Sequence, residues 1–442
     1  MSMTTSANDH LASSTTPQKI SPKVVTAGAV GSVIEYFDFG VYGYVATILA
    51  AHFFASGDPV SNLLNTLLTF AVAFALRPVG ALLFGHFGDR FGRKNALAAT
   101  VIAMAAASGL IGILPTYAAI GLGATLLLVL ARCLQGLAAG GELGGAASYV
   151  SEKSPNSRRG LFAATTQMGA LGGSLLASLC ILLFNVTLGE DFMADWGWRI
   201  PFLIAIPIGL FGLWIRSGLE ESEEFKKFKQ VRATADAKQR PIRDLFVQYP
   251  GKLAGVIGLS ILLFSAYYIA YVYVSLHMQT ALGFSASFAQ LSTTITLIVS
   301  VALMPWFGHI SDRVGRKPVF VGATIAGIVL AVPTFLLFES GGIVAIMSQV
   351  VLGLVDSALM GVAMSTFAEM FPTRVRYTGI AFGFSVGAAL AGGTSPYIAT
   401  WLVEATGNQL SPAFFLMGTG VITLIAALFL KETRGIDLQD VK

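Results

Sequence analysis

The chain has 442 residues, 55% of them hydrophobic and only 12% charged, with Gly at 48 positions and a mean hydropathy of +0.72. Its 28 Lys and Arg plus 24 Asp and Glu are half of the roughly 110 charges that a soluble chain of this length would carry. That excludes a water-soluble fold and a disordered chain, and it points to an integral membrane protein of close-packed, glycine-rich helices.

Residues 1–24 are polar and Ser/Thr-rich and read as a tail. The first apolar run is too long for a signal-peptide core and lacks a cleavage pattern, so it reads as a retained span. A crossing needs about 20 mostly apolar residues. Twelve runs meet that need: 25–49, 63–84, 95–114, 121–149, 160–184, 198–216, 253–276, 286–307, 319–338, 343–368, 376–403 and 412–430. Twenty-five of the 28 basic residues fall in the tails and in alternate loops; only Arg77, Arg132 and Arg199 do not. This positive-inside pattern puts both termini in the cytoplasm of a multi-pass protein of the plasma (bacterial inner) membrane. The five Trp (196, 198, 214, 306, 401) lie near expected span ends, as an aromatic belt would. Cys133 and Cys180 lie inside apolar runs, and neither they nor the scattered histidines have metal-ligand spacing.

The chain repeats itself. Gly85-His-Phe-Gly-Asp-Arg-Phe-Gly-Arg-Lys94 recurs as Gly308-His-Ile-Ser-Asp-Arg-Val-Gly-Arg-Lys317 at an offset of 223, and Glu152 and Arg159 recur as Glu369 and Arg376 at 217. The chain therefore divides into a first six-helix bundle (25–216), a charged linker (217–250), a second bundle (251–431) and a short tail (432–442). The expected fold is an all-α membrane protein of twelve transmembrane helices in two pseudo-symmetric bundles. Parallel repeats of this kind build transporters with a site between the halves. The repeated loop lacks phosphate-loop spacing and follows a membrane helix, which argues against nucleotide or nucleic-acid binding.

Six charges fall within span cores: Glu35 and Asp38, Arg77, Arg132 and Glu142, and Asp356. Each costs about 2.5–3.5 kcal/mol or more at mid-bilayer, so such groups mark a pathway. Four acids against two arginines leave an excess of two negative charges, and at least one acid is expected to take up and release a proton. Glu35 and Asp38 share a helix face with Tyr42 and are the leading proton-coupling pair, with Arg132 and Glu142 beside them. Arg77 either binds a substrate carboxylate or pairs with a first-span acid. Arg132 is expected to pair with an acid of another span. Tyr42, Asp356, Tyr267, Tyr271 and Gln167 are substrate-binding candidates, with Thr294 a further cavity candidate. Gly136, Gly140 and Gly144, and again Gly379, Gly383 and Gly387, have small-residue spacing for close helix approach. No nucleophile or metal constellation suggests an enzyme.

The doubled G-x-x-x-D-R-x-G-R-K loop and Arg132-Cys-Leu-Gln-Gly136 with Gly140-Gly141-Glu142 resemble the signatures of the major facilitator superfamily. Glu35-Tyr-Phe-Asp-Phe39 with Tyr42, Arg77-Pro-Val-Gly80, Trp196-Gly-Trp-Arg-Ile-Pro-Phe202 and Phe371-Pro-Thr-Arg-Val-Arg-Tyr377 are similar to its metabolite–proton symporter family, over about residues 25–432. The resemblance implies the superfamily fold, a proton as coupling ion without other cofactor, and a monomer working on a small molecule in the lipid bilayer. It also implies a role in proton transfer for Arg132. Gly85, Asp89, Arg90 and Arg93, with Gly308, Asp312, Arg313 and Arg316, are the implied gating residues. Some betaine and proline members carry a C-terminal coiled coil; here about 12 residues follow the last span, without heptads. The expected function is import of a small carboxylate-bearing metabolite by proton symport. Uptake of a proline- or betaine-type osmolyte or an amino acid is the alternative, and proton-driven export a more distant one.

Overall fold

The computed structural model describes residues 22–55, 57–91, 93–140, 150–152, 154–217 and 241–441, with the backbone alone at 22–30, 85–86, 88–91, 93–95, 97, 216–217 and 241–242. Twelve crossings result, numbered α1–α12. The first bundle holds α1 (Pro22–Tyr44, continued as Ala46–Phe53), α2 (Pro59–Ala75, continued as Arg77–Phe91), α3 (Arg93–Ile113), α4 (Leu122–Gly140), α5 (Arg159–Leu188) and α6 (Arg199–Ser217). The second holds α7 (Pro250–Tyr268, a π turn Ile269–Tyr273, then Val274–Thr280), α8 (Ala286–Val314), α9 (Arg316–Phe338), α10 (Gly342–Met370), α11 (Thr373–Gly387, a π turn Ala388–Gly392, then Thr394–Thr406) and α12 (Ser411–Phe429).

Eight of these pass as continuous apolar rods long enough for a bilayer, and α1 and α6 with the turn before it pass as pairs bent by 65° and 67°. α3 has a shorter apolar stretch, Ala98–Ile113. α11 opens on Arg374 and Arg376 and is broken by its π turn. Helix ends obey ordinary capping rules. Asp58 caps α2 through the Ser61 amide (2.9 Å), with Pro59 at the first position, and Ser285 caps α8 through the Phe288 amide (3.1 Å).

The pairings reveal the symmetry. Within the first bundle α1 packs on α5 and α6, α4 on α2 and α3, and α3 on α6; within the second α7 packs on α11 and α12, α10 on α8 and α9, and α9 on α12. Between the bundles α2 meets α11 and α8 meets α5, which are the same contact under the pseudo-twofold. The first helix of each bundle is interrupted at matched depth. Val45 marks the bend in α1, and an offset of 223 lands on Tyr268, just before the π turn of α7. A π turn frees a carbonyl; in α7 the Ala270 oxygen accepts from Gln349 Nε2 of α10 (2.8 Å).

Two expectations change. Trp198 is not part of a lipid-facing belt: it is fully buried. It is wedged between the bend of α1 and α6, its ring against His52, Phe53 and Phe202 and under the Arg199 guanidinium (4.2 Å). The other four Trp are about half exposed or more. Within the expected linker, Pro241–Gln248 forms a helix. It packs on α11 through buried Leu245, Phe246 against Phe382 and Gln248 accepting from Arg374 (2.7 Å).

Glycines set the closest approaches. A Cβ on Gly136, Gly140 or Gly80 would sit 2.0 Å from a backbone oxygen of the facing helix, in the α2–α4 contact. On α11, Gly383 and Gly387 face Val256 and Ser260 of α7, whereas Gly379 faces the nearby Phe371 ring. The α1–α5 contact supplies a test with its own control. A Cβ at Gly173 would meet the Val33 oxygen at 2.3 Å, whereas at Gly172 nothing lies within 4 Å. Gly173→Ala is expected to lower thermal stability in detergent by about 1–3 kcal/mol through overpacking. Gly172→Ala is expected to be neutral or to gain up to about 1 kcal/mol. Equal midpoints for the two variants would contradict the close α1–α5 contact.

Candidate functional site

The mid-membrane charges of the first bundle gather against the second. Arg77 is where α2 restarts after Leu76. Its Nη1 lies 2.8 Å from Glu35 Oε1 of α1, and both side chains are fully buried. Its guanidinium sits over the rings of Phe39 (4.4 Å) and Phe74 (4.0 Å). Of the two readings open for Arg77, this geometry is the ion pair with a first-span acid.

Arg132 is held differently. Its guanidinium lies over Tyr42 (4.1 Å), Phe39 (4.7 Å) and Phe70 (5.1 Å). Its Nη1 donates to Gln135 Oε1 (2.7 Å), and Gln135 Nε2 donates to Ser108 Oγ of α3 (2.6 Å). The expected ion pair with an acid of another span is not formed with any described acid. Rings cradle a cation without neutralising it, and the Nε and Nη2 edge meets no acceptor in bonding geometry among the described residues. Asp38 feels the charge of Arg132 and has the Ser108 hydroxyl against its carboxylate, but it forms no ion pair with a described cation. Glu35 and Asp38 thus divide: Glu35 is held in an ion pair, and Asp38 has only a hydroxyl partner.

Tyr42 donates to the Thr66 oxygen (3.1 Å). Tyr267 meets Tyr36 of α1 edge-on (5.5 Å), Tyr268 (4.8 Å) and Tyr271 (5.1 Å), and its hydroxyl contacts Ser174 Oγ of α5. Tyr268 packs on Phe70 and Phe74 of α2. The α7 tyrosines therefore form the wall that the second bundle presents to the arginines. Tyr271 donates to the Gly353 oxygen (3.2 Å), one turn from Asp356. Thr294 is occupied by Ser178 Oγ (2.7 Å) and the Gln290 oxygen (2.8 Å). Gln167 is buried on α5. Glu142 lies outside the described residues.

A second ionic cluster closes the end of the bundle that carries the basic loops. Asp312 accepts from the Gly160 (2.7 Å) and Leu161 (2.9 Å) amides, so the end of α8 caps the start of α5 across the two halves. It also pairs with Arg316 (2.8 Å). Gly308 and Gly160 touch here, a Cβ on either falling about 2.5 Å from the other's oxygen. Arg313 is exposed. Gly85, Asp89, Arg90 and Arg93 lie outside the residues with described side chains.

The reading of the sequence missed the main elements of this cluster as gating residues. Arg159 pairs with Glu369 (3.0 Å) and Glu152 with Arg376 (2.8 Å). Each glutamate of the repeated Glu–Arg element pairs with the arginine of the other half. The offset of 217 was the available signal, but a repeat does not say that its copies cross. Residues after α12 strap the cluster. Thr433 Oγ1 donates to Glu369 (2.6 Å), the Ile436 oxygen accepts from Arg159 (3.0 Å) and the Leu438 oxygen from Arg376 (2.7 Å). Burial pushes the Glu432 carboxyl up, but the amides of Arg316, Arg434, Lys317 and Thr433 outweigh it and hold it below the ordinary range. A depressed carboxyl adds stability above its unfolded value of about 4.3 that is lost as pH falls through the folded value. The contribution of Glu432 to the strap is therefore present at neutral pH and lost in acid.

Burial separates the two crossed pairs. Glu369 is fully buried beneath Arg159 and Arg316, so Glu369→Gln is expected to cost about 3–5 kcal/mol. Glu152 is 38% exposed, so Glu152→Gln is expected to cost at most about 1 kcal/mol. Thermal unfolding of the purified variants checks both, and a similar loss in each would contradict the burial difference.

Comparison with known proteins places this geometry. The family model for sugar and other transporters matches residues 24–442. The glycine betaine/proline/ectoine/pipecolic acid transporter OusA of Dickeya dadantii is 38% identical over 418 residues, covering 93% of this chain and 83% of the relative. The proline/betaine transporter of Escherichia coli is 36% identical with the same coverage, and a putative proline/betaine transporter of Staphylococcus aureus is 35% identical over 423 residues, covering 93% and 88%. Among solved structures, the proton:xylose symporter XylE bound to a bromo-deoxyglucose superposes with a TM-score of 0.74 at 19% identity, covering 95% of this chain and 98% of that one. That likeness shows the fold. The chain is a multi-pass membrane transporter of the major facilitator superfamily and belongs to its family of sugar and other transporters.

Proposed function

We propose that the chain takes up a small zwitterionic osmolyte or amino acid of the proline and betaine type, driven by proton symport through alternating access. This is the alternative expected from the sequence rather than the leading organic-acid reading, and the relatives' names support it. One observation supports the mechanism: the unpaired edge of Arg132, cradled by the rings of Tyr42, Phe39 and Phe70, faces the charge of buried Asp38, which forms no ion pair with a described cation. An ionised Asp38 is the natural partner of Arg132. A proton on Asp38 removes that partner, and a substrate carboxylate takes its place by a charge-assisted contact. Proton and substrate then bind together because the proton on Asp38 frees the arginine that the substrate carboxylate occupies. Glu35 holds Arg77 in register beneath Phe39 and Phe74 and is a positioning residue.

The basic end is taken as cytoplasmic. Its crossed ion pairs hold the two halves together there and must part for release inside. Exchange between states requires only that proton and substrate bind the two states with different affinity.

Reconstituted protein is expected to accumulate radiolabelled glycine betaine or proline under an inward proton gradient and to stop when a protonophore is added. Asp38→Asn is expected to lose accumulation, by about tenfold or more, while keeping counterflow exchange, which needs no net proton movement. Gradient-driven accumulation by Asp38→Asn at the wild-type rate would sink the coupling role. Accumulation only under an outward-directed gradient would show an exporter instead.

A further inference from the structure

We propose that Asp356, with the rings of Tyr36, Tyr267 and Tyr271, is the subsite for the cationic group of the substrate, so that the second bundle reads the positive charge of a zwitterion. This rests on the zwitterion reading above and adds the polarity of binding.

Asp356 lies in the middle of α10, 13 residues before Glu369, about 20 Å along the helix axis. It is therefore not part of the basic-end cluster. It is fully buried, and the Tyr271 hydroxyl is the one described donor that lies against its carboxylate. None of the described cations forms an ion pair with it. A carboxylate so placed is costly in an apolar interior unless it holds a proton or a cation answers it.

Its surroundings suit an organic cation. Tyr271 of α7 and Tyr36 of α1 both lie within Coulombic range of Asp356, and Tyr267 bridges them edge-on at 5.1 and 5.5 Å. A trimethylammonium group has no N–H to donate. It is recognised by ring faces together with a nearby negative charge. A secondary ammonium, as in proline, also donates to the carboxylate of Asp356.

The rest of the wall runs toward the first bundle. From Tyr267 the rings run to Tyr268 (4.8 Å), on to Phe70 (5.6 Å) and to the guanidinium of Arg132 (5.1 Å). Arg132 belongs to the first bundle and Asp356 to the second.

The test compares glycine betaine with 3,3-dimethylbutanoate, which has the same shape and carboxylate but no positive charge. Counterflow of labelled betaine in proteoliposomes is competed with each compound, for the wild type, Asp356→Asn and Asp356→Glu. The wild type is expected to prefer betaine by at least about 30-fold, the scale of a desolvated cation–π and charge contact. Asp356→Asn is expected to bring that preference below about threefold, and Asp356→Glu, which keeps the charge, to retain most of it. A wild type that does not discriminate overturns the subsite without needing any variant to fold. So does a folded Asp356→Asn that discriminates as the wild type does. Asp356→Asn that keeps the preference in counterflow but loses proton-driven accumulation reassigns Asp356 to proton transfer. A wild type that exchanges neither betaine nor proline overturns the substrate reading itself.

Discussion

An ion inside a bilayer has no water to answer its charge, and the organisation of this protein follows from how each buried ion is answered. Arg77 is answered by Glu35 at 2.8 Å, in a pair with no solvent contact. Arg132 is answered only in part, by three ring faces and one amide oxygen. Asp38 and Asp356 form no ion pair with a described cation and have only a hydroxyl, Ser108 or Tyr271, against them. These least-answered groups are the ones to which the proposed proton and ligand are assigned.

The same rule operates at the basic end with a different outcome. There the charges are answered completely: Glu369 accepts from Arg159, Arg316 and Thr433, and Asp312 accepts from two amides across the halves. Buried ion pairs contribute little net stability against apolar replacements, yet breaking one side of a pair is expensive. Such a cluster suits a contact that must be either wholly made or wholly parted. Glycine contacts support it, because Gly160 and Gly308 let the backbones of α5 and α8 touch at the same place. The pseudo-twofold explains the crossing of the Glu–Arg elements. Two copies of one arrangement face each other, so a glutamate on one half meets the arginine of the other.

Much of this was legible along the chain. Twelve crossings follow from apolar runs, two halves from the repeats, and the mid-membrane charges from their position within those runs. Less was legible where a residue's neighbours decide its role. Trp198 reads as a belt residue by position, but the bend of α1 at Val45 brings His52 and Phe53 over it. Arg77 was open between substrate and structural pairing, because only the packing of α1 on α2 sets its distance to Glu35. Residues 217–250 read as linker by charge, yet Leu245 finds a buried position on α11 and orders Pro241–Gln248 around it.

The sequence by itself determined the crossings, the internal repeat and which charges lie within the membrane, since hydropathy and charge are properties of short stretches of chain. Tertiary structure alone decided the partners: Glu35 rather than Asp38 for Arg77, aromatic faces rather than an acid for Arg132, the opposite half for Arg159 and Arg376. The physical reason is range. Partition into lipid sums over some twenty residues and survives small errors of placement, whereas an ion pair or hydrogen bond is made or lost within about an ångström, and residues more than 200 positions apart reach that distance only when the two bundles pack.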